Sequence, residues 1–170
     1  MLPTTPDSST PTIKRRLTVM LYEAVLLFGV LAIAGLLFSI LFQQRHALYL
    51  RHGMQVWLLL VVGAYFIWFW THSGQTLPMK TWRLQLVSTD GSAVSLKQAI
   101  VRYLLAWLWF LPGLIIAWAL DTHGWMAIAI IGANMAAWGL SAYLHPSRQF
   151  LHDRIAGTRL IQLPKHAHGT

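Results

Sequence analysis

The chain has 170 residues, of which 56% are hydrophobic and 11% charged, and 13 Lys and Arg against 5 Asp and Glu give a formal net charge of +8. Its length fits one domain, and its composition is too apolar for a typical soluble one. Because the sequence contains no cysteine, it excludes disulfides and thiolate chemistry.

The apolar residues are concentrated in four blocks, each close to the roughly 17–25 residues that a transmembrane helix needs. They follow a tail rich in Pro, Ser and Thr, residues 1–13, which is typical of disorder. The sequence therefore predicts an all-α membrane protein, a four-helix bundle within a membrane domain at 14–161, with a second tail at 162–170. The predicted spans are residues 17–42, 54–70, 103–120 and 125–144.

Glu23 is an acidic residue inside the first apolar block, seven positions after Arg16. A carboxylate within a span is costly, so it needs a partner or a function. The spacing places the two side chains on nearly the same helix face, about 10 Å apart along the axis. Because that separation is too long for direct contact within one rigid helix, we expect each side chain to find a partner elsewhere or to bridge through a third group.

The connection between the second and third spans, residues 71–102, carries two local patterns. Residues 83–87 alternate polar and apolar side chains, as a half-exposed strand does, and residues 159–163 are also strand-like. Pairing of the two segments would form a small cytoplasmic sheet. Ser95 and Gln98 have the spacing of a capping box, which predicts a helix that begins at about Leu96 and continues into the third span, where Pro112 predicts a kink.

Basic residues are distributed unevenly between the two sides of such a bundle. With four spans both termini lie on the same side, and that side holds all the Lys and Arg residues except Arg45 and Arg51. The positive-inside rule therefore predicts cytoplasmic termini. Because topology explains the net charge, we expect the lipid bilayer as a partner and no nucleic acid.

The fourth span carries an amide, Asn134, near its middle and several small residues on its faces. An amide within a span is typical of hydrogen bonding between helices, and small residues at helical spacing permit close packing. They indicate helix contacts within the bundle or across a homodimer. The small residues are Ala129, Gly132, Ala133 and Ala136.

Metal and enzyme chemistry find little support in the sequence. His46 and His52 lie six residues apart in the outer loop, a spacing that matches no zinc site, and the adjacent Arg residues disfavour a cation. The sequence contains no hydrolase elbow, phosphate-binding loop or HExxH motif. We expect no enzyme, metal or cofactor, with a membrane-embedded hydrolase that uses Glu23, Asp153 and a histidine as the open alternative.

Several motifs, taken in order along most of residues 15–161, resemble the RDD family of small bacterial membrane proteins, named for an arginine and two aspartates. The most specific is the closing pattern of residues 151–158, which contains Asp153, Arg154, Gly157 and Thr158. The other matching stretches are Arg15-Arg16-Leu17, Gly74-Gln75-Thr76-Leu77, Asp90-Gly91 and Arg102.

The resemblance implies a role for individual residues. Arg16 corresponds to the family arginine and Asp153 to its second aspartate, whereas Glu23 stands where the first aspartate is expected. The carboxylate is kept but is one methylene longer. Pro78 replaces the usual glycine after residues 74–77. Family members are described as transporters, some linked to sodium or proton exchange, which implies a multi-pass protein of the bacterial cytoplasmic membrane.

Two hypotheses for the charged residues follow. In the first, Glu23 binds a cation or proton at the inner end of the bundle, and Arg16, Arg102 and Asp153 control its charge state. In the second, these residues only lock the cytoplasmic helix ends together by ion pairs. The first implies transport by a homo-oligomer, since four spans are few for a monomeric carrier. The second suits a scaffold or accessory subunit that binds a cytoplasmic protein.

Overall fold

The structure is a computed structural model that describes residues 10–42, 50–141 and 149–164. A turn of 3-10 helix, Trp107–Trp109, lies between the fourth and fifth α-helices. The elements in chain order are α1 (Ile13–Leu41), α2 (Arg51–His72), α3 (Leu77–Thr81), β1 (Leu84–Ser88), α4 (Leu96–Ala106), α5 (Leu111–Ala119), α6 (Trp125–Leu140), α7 (Leu151–Ile155) and β2 (Thr158–Gln162).

Within the described residues, three helical segments are long and apolar enough to cross a membrane: Ile13–Leu41, Arg51–Thr81 and Leu96–Ala119. The prediction of a mostly helical protein with several apolar helices of membrane-spanning length is therefore confirmed. Helix α6 is apolar but has 16 residues, and the predicted fourth span continues beyond the described residue 141. The fourth crossing and the side on which the termini lie stay predictions.

The long helices expose large apolar side chains on their outer surfaces. Phe28 on α1 is 77% exposed, and Trp118 and Trp125 near the α5–α6 turn are 83% and 86% exposed. In water such surfaces would be unfavourable, whereas a hydrocarbon environment accommodates them. Their distribution around the bundle is what a lipid-facing surface requires.

The third apolar segment is not a continuous α-helix. It turns into 3-10 helix after Ala106 and resumes at Leu111, so that Pro112 occupies the first turn of α5, where a missing N–H is tolerated. The break frees backbone carbonyls, and Asn134 Nδ2 on α6 donates to the Trp109 carbonyl at 2.6 Å. The helix is thus interrupted just before Pro112, where the sequence predicts a kink, and the Asn134 amide donates across helices to a carbonyl that the break frees.

Strands β1 and β2 pair antiparallel, with Leu84 opposite Gln162 and Ser88 opposite Thr158. The predicted sheet is confirmed, with both strands displaced by one residue from the expected segments. The predicted capping box is also present, because Ser95 Oγ accepts from the Gln98 amide while Gln98 Oε1 accepts from the Ser95 amide.

We call α3, β1, α7 and β2 together the cap, since they lie at one end of the bundle. Within the cap, α3 contacts α1 and α7 contacts α4. Arg15 at the start of α1 donates from Nε and Nη2 to the Trp82 carbonyl, at 2.9 and 2.6 Å. The cap buries Leu84 and Leu86, each 1% exposed, in a core shared with Trp70 of α2. It therefore closes one end of the helix bundle.

The small-residue face of α6 does not pack within the described bundle. Ala129, Gly132, Ala133 and Ala136 are all exposed. Contact between α5 and α6 instead uses Gly113, where a Cβ atom would lie 3.0 Å from the Ile131 Cα atom. The sequence left two alternatives for this face, contact within the bundle or across a homodimer. Contact within the bundle is wrong for these four residues among the described ones.

Candidate functional site

Glu23 is buried on α1, with 7% of its surface exposed. Tyr65 on α2 donates its hydroxyl to Glu23 Oε1 at 2.7 Å, and Thr76 donates its hydroxyl to Oε2 at 2.5 Å. Both donors are neutral. No Lys, Arg or His within the described ranges forms an ion pair with this carboxylate.

The Gly74-Gln75-Thr76 segment positions one of these donors. Gly74 has φ +67°, and its carbonyl accepts from the Leu86 amide at 2.8 Å, which fixes the segment against β1. Gln75 Nε2 donates to the Leu84 carbonyl at 2.6 Å. Thr76 is completely buried and is also the N-cap of α3, so its side chain is held under Glu23. The motif therefore connects the cap directly to the Glu23 carboxylate.

Arg102 and Asp153 form a buried ion pair between α4 and α7. Arg102 Nε lies 2.8 Å from Asp153 Oδ1, and Asp153 is fully buried. The Arg102 guanidinium also stacks on Trp70, with its Cζ atom 4.2 Å from the ring centroid. The pair fastens α7 of the cap to the first half of the third apolar segment.

His152 is a neutral member of this cluster. Its Nδ1 accepts from the indole N–H groups of Trp109 at 3.4 Å and Trp138 at 3.3 Å, so Nδ1 carries no proton. Its Nε2 lies 3.4 Å from Asp153 Oδ1, which assigns the proton to Nε2. Burial lowers the pKa of His152 to about 4; Arg102 and Arg16 act in the same direction and Asp153 opposes them.

The neutral His152 predicts acid sensitivity of the fold. An unfolded histidine titrates near pH 6.5, so between about pH 6.5 and 4 the unfolded chain binds a proton that the folded chain does not. The free energy of unfolding should therefore fall by about 3 kcal/mol as pH decreases through that window. Chemical unfolding of the purified protein at several pH values measures this slope. His152→Gln should remove it, and an equal slope in the variant would contradict the assignment.

Arg16 is 2% exposed at the start of α1. Its Cζ atom lies 5.4 Å from the ring centroid of Phe150, just before α7. Its charge interacts with those of Asp153 and Arg102. The structure thus brings Arg16, Arg102 and Asp153 together at the cap, while Glu23 lies about two turns further along α1.

A cavity of about 390 Å³ joins the two groups. Its walls come from α1, α2, α4, the 3-10 turn and the cap, and its surface is almost entirely apolar. The acidic and basic side chains along it are those of residues already described: Arg16, Glu23, Arg102 and His152.

The remaining motif residues are structural. Gly157 has φ +65°, and its carbonyl accepts from the Thr89 amide and from Gln98 Nε2, each at 3.0 Å. Thr158 donates its hydroxyl to the Asp153 carbonyl at 3.2 Å. Arg154 is exposed. These contacts hold the turn between α7 and β2, and with it the position of Asp153.

Three contributors to the site were not anticipated from the sequence: Tyr65, His152 and Trp70. Thr76 was identified as a motif residue, but its contact with Glu23 was not. One signal was available for Tyr65, which lies about two turns from the cap end of α2, a depth similar to that of Glu23. The stacking of Trp70 on Arg102 had no local pattern to indicate it.

Comparison with known proteins gives one family match. The model of the RDD family matches residues 10–157, which is most of the chain. No curated protein and no solved structure matches it.

Proposed function

This chain belongs to the RDD family of membrane proteins, and on that premise we propose that it transports cations in exchange for protons bound at Glu23. One observation carries the proposal: a buried carboxylate lies inside a helix long enough to span a membrane, and its described partners are two neutral hydroxyl groups. Such a carboxylate requires a proton or a cation to balance its charge in a hydrocarbon environment.

The cap supports a role as the inner boundary of this site. Arg102 and Asp153 neutralise each other, and His152 carries no charge. The chain leaves the cap along α1 and returns to it along α2. It leaves again along α4 and α5 and is back in the cap at α7, which supports a fourth crossing through α6. We place the cap in the cytoplasm of a bacterial cell, at the inner membrane, in a homo-oligomer.

Proton flux in proteoliposomes tests this function. Wild-type protein should acidify or alkalinise the vesicle interior when a cation gradient is imposed, as reported by a trapped pH dye. Glu23→Gln keeps the size of the side chain and one acceptor oxygen, and its amide N–H can donate to the second hydroxyl, but it cannot exchange a proton. Its flux should therefore fall to the level of empty vesicles. Asp121→Asn is the matched control, because the Asp121 side chain is 97% exposed.

Either of two results would overturn the proposal. Well-folded Glu23→Gln protein with wild-type flux would remove the carboxylate from the mechanism. Absence of proton flux from folded wild type under sodium, potassium and organic-cation gradients would instead favour the scaffold alternative, in which the charged cluster only fastens the helix ends.

A further inference from the structure

We infer that the cation exchanged at Glu23 is a lipophilic organic cation, with its charge at the carboxylate and its apolar groups among the aromatic side chains of the cavity. The inference rests on the proposed function and names its substrate class. It follows from the shape and lining of the cavity together with the position of its charges.

The cavity has the size and surface of a small-molecule site. Its volume of about 390 Å³ lies within the range of roughly 300–1,000 Å³ typical of ligand pockets. Aromatic rings from three elements line it, including Phe66 on α2, Tyr103 on α4 and Trp107 in the 3-10 turn, with Phe110 before α5. Aromatic faces attract cations, and aromatic cages are typical of sites that bind quaternary ammonium groups.

The charges at the two ends of the cavity determine where a cation would bind. Arg16 lines the cap end, and its positive charge disfavours a cation there, whereas Glu23 lies about 10 Å further along α1. Arg102 is already paired with Asp153 and covers the face of Trp70. The acidic position is therefore Glu23, beyond which the cavity walls are apolar.

A small inorganic cation fits these walls less well. Such an ion must replace its hydration shell with several oxygen ligands. Among the described residues, the polar groups that contact the Glu23 carboxylate are the two hydroxyls that already donate to it. An organic cation carries its own apolar surface and needs a single counter-charge. The other titratable or charged groups that bear on this site are Arg16, Tyr65, Arg102, Tyr103, His152 and Asp153.

Equilibrium binding of two probes of matched shape and opposite charge tests the inference. Tetraphenylphosphonium should bind the purified full chain, and Glu23→Gln should weaken its affinity at least about tenfold, as expected for loss of a charged partner. Asp121→Asn should leave the affinity unchanged. If tetraphenylborate binds instead and Glu23→Gln has no effect on its affinity, the site prefers anions and the inference is wrong.

A second pair of variants keeps the test independent of Glu23. Ala106 lines the cavity, so Ala106→Leu should fill part of it and weaken tetraphenylphosphonium binding several-fold. Ala119→Leu makes the same change at an exposed position outside the cavity and should have no effect. Equal affinities for wild type and Ala106→Leu would show that the probe binds elsewhere.

The inference and the proposed function can fail separately. Proton flux that depends on Glu23 with sodium or potassium, together with no binding of tetraphenylphosphonium, would overturn the substrate class and leave the exchange function. Binding of tetraphenylphosphonium that depends on Glu23, without any proton flux, would support the site and overturn transport.

Discussion

Asp153→Asn is expected to lower the free energy of unfolding by about 3–5 kcal/mol, because removal of one member of a buried ion pair leaves the other charge uncompensated. Asp153 is fully buried and Arg102 is 8% exposed, so water cannot replace the lost carboxylate. The same change removes the acceptor charge next to His152 Nε2. The cap should therefore lose its main polar connection to α4.

Chemical unfolding in detergent, followed by tryptophan fluorescence, measures this effect. Asp121→Asn removes an exposed carboxylate and should change stability little. In the double variant Arg102→Gln with Asp153→Asn, two amides replace the two charges, and much of the loss should be recovered. A single Asp153→Asn variant as stable as the wild type would contradict a structural role for the pair.

Gly74→Ala is expected to lower the free energy of unfolding by about 3 kcal/mol or more, because backbone strain and a lost hydrogen bond add to a steric clash. Gly74 has φ +67°, and a Cβ atom there would lie 2.5 Å from the Leu86 carbonyl oxygen. That oxygen belongs to β1 and cannot move without disturbing the sheet. The backbone at Gly74 would have to move instead, which would break the hydrogen bond between the Leu86 amide and the Gly74 carbonyl. The same movement would displace Thr76 from Glu23.

Gly29→Ala provides the matched control for this substitution. Gly29 lies inside α1, and a Cβ atom there would meet nothing within 4 Å. The control should therefore be neutral or slightly stabilising, since alanine favours a helix. Thermal unfolding of both variants, measured side by side, tests the assignment, and equal stabilities would show that the turn at Gly74 tolerates a side chain.

Local patterns predicted the elements of this fold well. The apolar blocks predicted α1 and α2 to within four residues of their ends, and the Ser95–Gln98 spacing predicted the start of α4. These succeeded because helix length and capping depend on residues near one another in sequence. The outward direction of the small residues on α6 could not be predicted, since it depends on which face packs against α5.

The candidate site was predictable only in part. The cost of an acid in a span singled out Glu23, and topology placed Arg102 and Asp153 at one end of the bundle. The partners Tyr65 and Thr76 come from elements 42 and 53 residues away, and no local spacing links them to Glu23. They can be identified only from the way the helices pack, because packing brings together residues at the same distance from the cap.

Infrared difference spectroscopy of the protein in lipid tests most directly whether Glu23 exchanges a proton for a cation. The wild type should show a protonated carboxyl band that Glu23→Gln lacks, and this band should disappear when the exchanged cation is added. We expect the band to be lost when tetraphenylphosphonium is added. A Glu23 band unchanged by sodium, potassium and tetraphenylphosphonium alike would contradict the exchange mechanism.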